Sequence, residues 1–220
     1  MRDVRTLARR ERQQFADLLD SLSPGQWQAP TLCPGWTVRD VAAHTVSYLG
    51  QTRLGLATAM LSARGRVDRL NDAAHRTHSG LGPDELRTMM AAGSDPSGAG
   101  ALYGCRVALI ECLIHQQDIR RPLGLPRTID ADALRAALTY ARISPVISTR
   151  STRGLRLVAT DVDWSAGRGP EIHGPGEALL LAMTGRVAAV AGELTGPGAD
   201  ALLRRFPPQG RPTSGGTTLA

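Results

Sequence analysis

Apolar residues recur at helical spacing over the first stretch of the chain. Val4, Leu7, Ala8, Phe15, Leu18, Leu19 and Leu22 fall on one face, which predicts an amphipathic helix over residues 3–22. Ser23-Pro24-Gly25 ends it, and a loop with Trp27, Pro30, Pro34 and Gly35 follows. Thr37 then opens Thr-Val-Arg-Asp, an N-cap with an acid three residues on, close to a capping box. Trp36, just before the cap, is placed to staple onto Val41. Val38, Val41, Ala42, Thr45, Val46 and Leu49 supply the buried stripe of a second helix, predicted to run to about Ala63. Pro83-Asp84-Glu85 starts a third, which Gly93 to Gly100 interrupts. A fourth, Ala101 to Ile119, is apolar on most sides and should lie centrally, with Arg121-Pro122-Leu123-Gly124 as its stop. Four long helices joined by short connections read as a bundle.

The pattern changes after residue 125. Asp130 or Asp132 caps a short helix ending at Arg142. "GLRLVATDVDWSAG" alternates as a half-buried strand does, and "PEIHG" is a short second strand. Glu177–Thr184 and Ala199–Phe206 are again helical. The expected fold class is therefore α+β: a helical bundle over 1–124, a small α+β unit over 125–206, and a low-complexity tail over 207–220 that reads as disordered.

Composition narrows the classes. The 42% hydrophobic and 21% charged residues of this 220-residue chain are those of an ordinary globular protein. The Met-Arg start lacks an apolar leader core, and no apolar run reaches the roughly 20 residues of a membrane span, so a cytoplasmic protein is expected. Cys33, Cys105 and Cys112 are odd in number and without framework spacing, which favours reduced thiols. The net charge is +6, carried by arginine with no lysine. The arginines are scattered apart from Arg2, Arg5, Arg9, Arg10 and Arg12, which alternate with Asp3 and Glu11 as on a solvated face. With only 4% aromatic residues, a nucleic-acid surface is not expected. Attraction of small anions is the more natural use of the charge.

The chemistry concentrates in two segments. "CPGWTVRDVAAH" ends on His44, two turns into the second helix. "ECLIHQQDIRRPLG" on the fourth carries Glu111 and His115 four apart, within about 40° of each other around a helix, with Asp118 three further on the same face. Such groups on a central helix are costly to bury unless paired or bound to metal. If His44 faces them, two imidazoles and a carboxylate from two helices make three ligands and leave a fourth position open, the pattern of a catalytic zinc site. Taken singly, these residues also have plainer readings. His44 suits a hydrogen-bonded core histidine, Glu111 and His115 a surface pair, and Asp118 a partner of Arg120 or Arg121 or a helix-end group. His75 and His78 lie in a polar stretch, His173 at a turn, and Cys105 and Cys112 in the core. Cys33 is expected to be packed, although one loop from His44 it could also reach a metal.

Together, "LCPGWTVRDVAAHTV" and "ECLIHQQDIRRPLG" resemble the mycothiol-dependent maleylpyruvate isomerase family, within the wider DinB-like group of four-helix metal-binding proteins. "GLRLVATDVDWSAGRGPEIHGPGEALLLAMTGR" resembles that family's small C-terminal domain, related in shape to sterol carrier protein folds. The resemblance implies that His44, Glu111 and His115 bind a divalent ion, zinc or another such as nickel, and that mycothiol is the thiol cofactor. It implies a metal-activated thiol used for isomerisation or S-transfer on a small, carboxylate-bearing substrate. Asp118, Arg120 and Arg121 are then candidate catalytic residues, and Arg204 and Arg205 candidate cofactor-binding ones. A zinc hydrolase using metal-bound water and a non-catalytic metal- or small-ligand-binding protein remain as alternatives. The expected partners are a small thiol and a small-molecule substrate, with no nucleic acid and no membrane, and a homodimer is allowed. Gln116 departs from the family, which more often has a small residue there, and the third helical region is short for it.

Overall fold

The computed structural model describes residues 3–49, 51–65, 80–144 and 150–206. His75, His78 and the tail over 207–220 lie outside the described residues. Within them the helices are α1 (Val4–Ser21), α2 (Val38–Ser47), α3 (Arg53–Ser62), α4 (Pro83–Ala92), α5 (Arg106–Leu123) and α6 (Ala131–Ile143). Then come strands β1 (Arg156–Ala159), β2 (Ser165–Gly167) and β3 (Glu171–Gly174), followed by α7 (Gly176–Met183), α8 (Val187–Val190) and α9 (Pro197–Arg205). The class is α+β, with the helical part first.

α1 packs along α5, and α2 and α4 complete a helical layer around them. Phe15, Leu19, Trp27, Val38, Val41, Leu86, Met90, Cys112 and Ile119 fill its interior. The face of α1 that carries these residues is the one its spacing predicts. α6 bridges α5 to α7, which lies against the sheet. The sheet has the order β2-β1-β3, with β1 antiparallel to β2 and parallel to β3. Leu157 and Ile172, opposite each other in register, point into the core beside Leu179 and Leu181.

Four features differ from the expectation. The second helix is two: α2 stops at Ser47, and Thr52 caps a new helix by accepting the Gly55 N–H at 3.0 Å. The apolar run after Thr52 hides this break, yet α3 buries none of its residues. The fourth helix begins at Arg106 because Tyr103, Gly104 and Cys105 are left-handed (φ 51°, 64° and 65°) and interrupt the turn before it. It also runs on past Pro122 to Leu123, where Gly124 at φ 65° closes it with its N–H on Arg120 and Arg121 carbonyls. The first expected strand folds into the β1–β2 hairpin, turning at residues 160–164.

Candidate metal centre

Local sequence fixes where each group stands. Thr37 accepts the Asp40 N–H while Asp40 accepts the Thr37 N–H, a full capping box that starts α2 and brings His44 to its inner side. Cys33-Pro34-Gly35-Trp36 is a tight turn closed by the Trp36 N–H on the Cys33 carbonyl (3.0 Å), with Gly35 at φ 77°. Proline second and glycine third suit that turn. Pro122 has no N–H for the Asp118 carbonyl four residues back. That carbonyl instead accepts the Leu32 N–H at 3.0 Å, which ties the turn carrying Cys33 to α5.

His44, Glu111 and His115 come together, their ligand atoms all within 4.8 Å of one another. His115 Nε2 is 3.2 Å from Glu111 Oε2 and His44 Nε2 is 3.9 Å from the same oxygen. The two imidazole rings meet edge to face, 4.9 Å between centroids. Both histidines are buried, whereas the Glu111 side chain keeps 35% of its surface, so the cluster opens to solvent on the carboxylate side. Trp36 and Tyr48 each set a ring 5.2 Å from that of His44 and wall it from water.

Behind His115 lies a second layer. His115 Nδ1 is 2.9 Å from Asp118 Oδ2, which leaves Nε2 to face Glu111. Asp118 is fully buried and also accepts Arg186 Nε at 2.9 Å, Arg186 Nη2 at 2.7 Å and the Cys33 thiol at 3.2 Å. Burial alone would raise the Asp118 carboxyl, but His115 and Arg186 outweigh it and hold the group well below the usual carboxylate range. Burial likewise opposes the His115 imidazolium, yet Asp118, Cys33 and Glu111 raise it well above its ordinary value. Glu111 is pushed up by burial and pulled further down by His115, His44 and Arg186.

The donor set fits a divalent cation. Two imidazole nitrogens and one carboxylate oxygen suit zinc or nickel, and an imidazole whose other nitrogen is held by a carboxylate is a well-supported ligand. Cys33 Sγ, His115 Nδ1 and Asp118 Oδ2 form a second close group, but the Arg186 guanidinium already bonds to Asp118 and lies 3.5 Å from the sulfur.

The other expected residues are engaged elsewhere. Arg121 bonds Glu177 at 2.7 Å and Glu193 at 2.6 Å. Arg120 is pressed by burial and by neighbouring Arg127 away from its charged form. Arg204 is exposed, and Arg205 donates to the carbonyls of Ser151 and Arg153. Asp118 pairs with Arg186 rather than with Arg120 or Arg121, the latter being held by Glu177 and Glu193. Arg186 is the residue that sequence reasoning missed. It was detectable as the one charged side chain in the apolar stretch "ALLLAMTGRVAAVAG". His173 bonds Glu171 at the sheet edge, and Cys105 and Cys112 are core residues.

Residues 8–97 match the family model of the mycothiol maleylpyruvate isomerase N-terminal domain, a stretch that includes His44 and ends before Glu111. Among curated protein sequences none matches the chain. Two solved structures, the mycothiol-dependent maleylpyruvate isomerase and a histidine-to-alanine mutant of it, superpose with a TM-score of 0.59 at 17% sequence identity, over 88% of this chain and 91% of theirs. Residues 8–97 are therefore similar to the N-terminal domain of the mycothiol maleylpyruvate isomerase family, and the chain shares the fold of the solved isomerase.

Proposed function

We propose that the protein is a metal-dependent enzyme that activates a low-molecular-weight thiol, mycothiol by analogy with the solved isomerase, for isomerisation or S-transfer on a small substrate. The observation that carries this reading is the convergence of His44, Glu111 and His115 within 4.8 Å, open on one side. A divalent ion there, zinc or nickel, would favour thiolate over thiol and so supply a nucleophile at neutral pH from a group whose free pKa is about 8.5.

The chain's own residues do the rest. Asp118 holds a proton on His115 Nδ1 and aims Nε2 at the ligand position. Arg186 balances the Asp118 charge, so the acid stays ionised without water. Trp36 and Tyr48 keep the His44 side dry, which strengthens electrostatic contacts inside. The three cysteines are free, as a reducing cytoplasmic setting favours.

The test is metal content and thiol-dependent turnover measured together. Protein purified without added metal should carry about one ion per chain, and His44→Ala and His115→Ala should each lose it together with the activity. Wild-type chain that carries no metal and resists loading would overturn the proposal.

A further inference from the structure

On the side of α5 turned away from the metal ligands lies a buried polar layer that the proposed chemistry does not use. Around the helix, Gln116 and Arg120 stand about 140° and 180° from Glu111. Gln116 and Gln117 are buried there. Arg127, between α5 and α6, pairs with Glu11 of α1 at 2.8 Å, both side chains more than nine-tenths buried.

The hydrogen bonds of this layer can be followed atom by atom. A guanidinium has five N–H groups. Arg127 Nε donates to Gln117 Oε1 at 3.1 Å, and Nη1 donates to Glu11 Oε2 at 2.8 Å and to Gln14 Oε1 at 3.0 Å. Nη2 is buried and, among the described residues, donates to nothing. Gln116 Nε2 donates to the Glu11 carbonyl at 3.1 Å and to Glu11 Oε2 at 3.0 Å, which fixes the orientation of the amide. Its Oε1 is buried and accepts nothing. The free Nη2 and Oε1 thus belong to two groups that meet on one carboxylate oxygen. One turn along α5 from Gln116, Arg120 Nε is a third buried atom without a partner. Burial and Arg127 both oppose the Arg120 charge, and Glu11 acts for it. Arg12, next to Glu11 on α1, turns to the Gly93 carbonyl. Arg120 and Arg127 therefore share one acid. Unmet buried polar atoms are costly, most of all on a charged group.

What would satisfy them is defined by chemistry: acceptors for Arg127 Nη2 and Arg120 Nε, a hydroxyl for Gln116 Oε1, and a single negative charge. We infer that this layer between α1 and α5 is a site for a small protonated oxyanion, bicarbonate, whose oxygens accept from Arg127 and Arg120 and whose hydroxyl donates to Gln116. Dihydrogen phosphate offers the same charge and a donor in a larger frame, and the enclosure of all three atoms favours the small planar ion. The site does not depend on the metal reading.

Calorimetric titration of the full chain with sodium bicarbonate, nitrate and phosphate tests this. Nitrate matches bicarbonate in charge and planar shape but has no hydroxyl. Bicarbonate should fill a single site per chain, and nitrate should bind about tenfold or more weaker, the scale of one hydrogen bond to a charged group. Arg120→Gln and Arg127→Lys should each weaken bicarbonate by a similar factor. Lysine keeps the charge opposite Glu11 but loses the second arm of the fork, and Arg120→Gln removes a charge that burial and Arg127 oppose, so both variants should stay folded. Metal-stripped protein should bind bicarbonate as the loaded protein does. Binding that needs the metal would put the ion on the metal centre and overturn the inference. Nitrate bound as tightly as bicarbonate, no binding of either, or binding that survives both substitutions would overturn it as well. Phosphate bound more tightly than bicarbonate would uphold the class of ligand and overturn the choice of ion.

Discussion

Asp118 joins three elements through one carboxylate: His115 on its own helix, Cys33 on the loop before α2, and Arg186 after α7. Asp118→Asn removes the buried charge and leaves the part-buried Arg186 guanidinium without its acid, a change expected to cost about 3 kcal/mol in urea unfolding. Metal affinity should fall about 10- to 100-fold, since a ligand's orienting partner has that weight. The carboxyl is depressed in the folded state. Its contribution is therefore complete above the unfolded value of about 3.9 and is lost as pH falls through the folded one. Wild type should lose stability below about pH 4 more steeply than the variant does. Cys112 behaves in the opposite sense. Burial pushes its thiol up to about 12, so it should resist iodoacetamide at pH 8 while half-buried Cys33 reacts first. Mass spectrometry of the native protein should find label on Cys33, and on all three cysteines only after denaturation. Glu111 and His115 were legible in the sequence because their spacing implies a shared helix face, whereas His44, on another helix, was tied to them only by the resemblance of the two motifs to one family. Arg186 was not, because it comes 68 residues after Asp118 and no periodicity links them.

At the scale of elements, caps decide more than propensity. Thr37 and Thr52 each begin a helix, but only α2 is buried and carries a site residue. Thr37→Ala should cost about 1 kcal/mol of global stability in urea. Thr52→Ala removes a similar hydrogen bond from a helix with no buried residue, so its cost falls on local opening. Amide exchange in α3 should accelerate while the global midpoint stays nearly fixed. The sequence contained the evidence for this division, with Gly50 followed by Thr52 in "YLGQTRLG", but the apolar positions on either side read as one continuous stripe. The N-terminal boundary of α5 was harder to see. Its interruption comes from left-handed backbone at Tyr103 and Cys105, residue types that give no local signal for that conformation. Pro122 misled for a definable reason: it ends the hydrogen-bond ladder of α5 without ending its coil, and the carbonyl it frees holds the Leu32 N–H.

At the scale of the molecule, residue 124 divides the chain by composition, and we keep 1–124 and 125–206 as a proposed division, but the packing does not pause there. Val4, Leu7 and Ala8 of α1 and Leu109, Ile110 and Leu113 of α5 share one apolar cluster with Leu138, Leu157, Ile172 and Leu179. Sequence reading cannot detect this, because periodicity tells which face of a helix is buried and not what buries it. Charges cross the same boundary: Glu11 pairs with Arg127, Arg121 with Glu177 and Glu193, and Asp118 with Arg186. A chain cut after Gly124 would expose the apolar cluster along half of α5 and strand Asp118 and Glu11 without their cations. Each large apolar side chain so uncovered forfeits about 1.5–3 kcal/mol, and each buried acid left unpaired about 3–5 kcal/mol, against a total stability of about 5–15 kcal/mol. The fragment 1–124 should therefore lack a cooperative unfolding transition and bind a hydrophobic dye, although it contains His44, Glu111 and His115. Calorimetry should also find its metal affinity lower than that of the full chain by at least the factor expected for Asp118→Asn, because the cut removes Arg186 as well. A fragment that melts cooperatively and holds metal as tightly as the full chain would mean that the C-terminal unit is an appendage rather than the other half of the core.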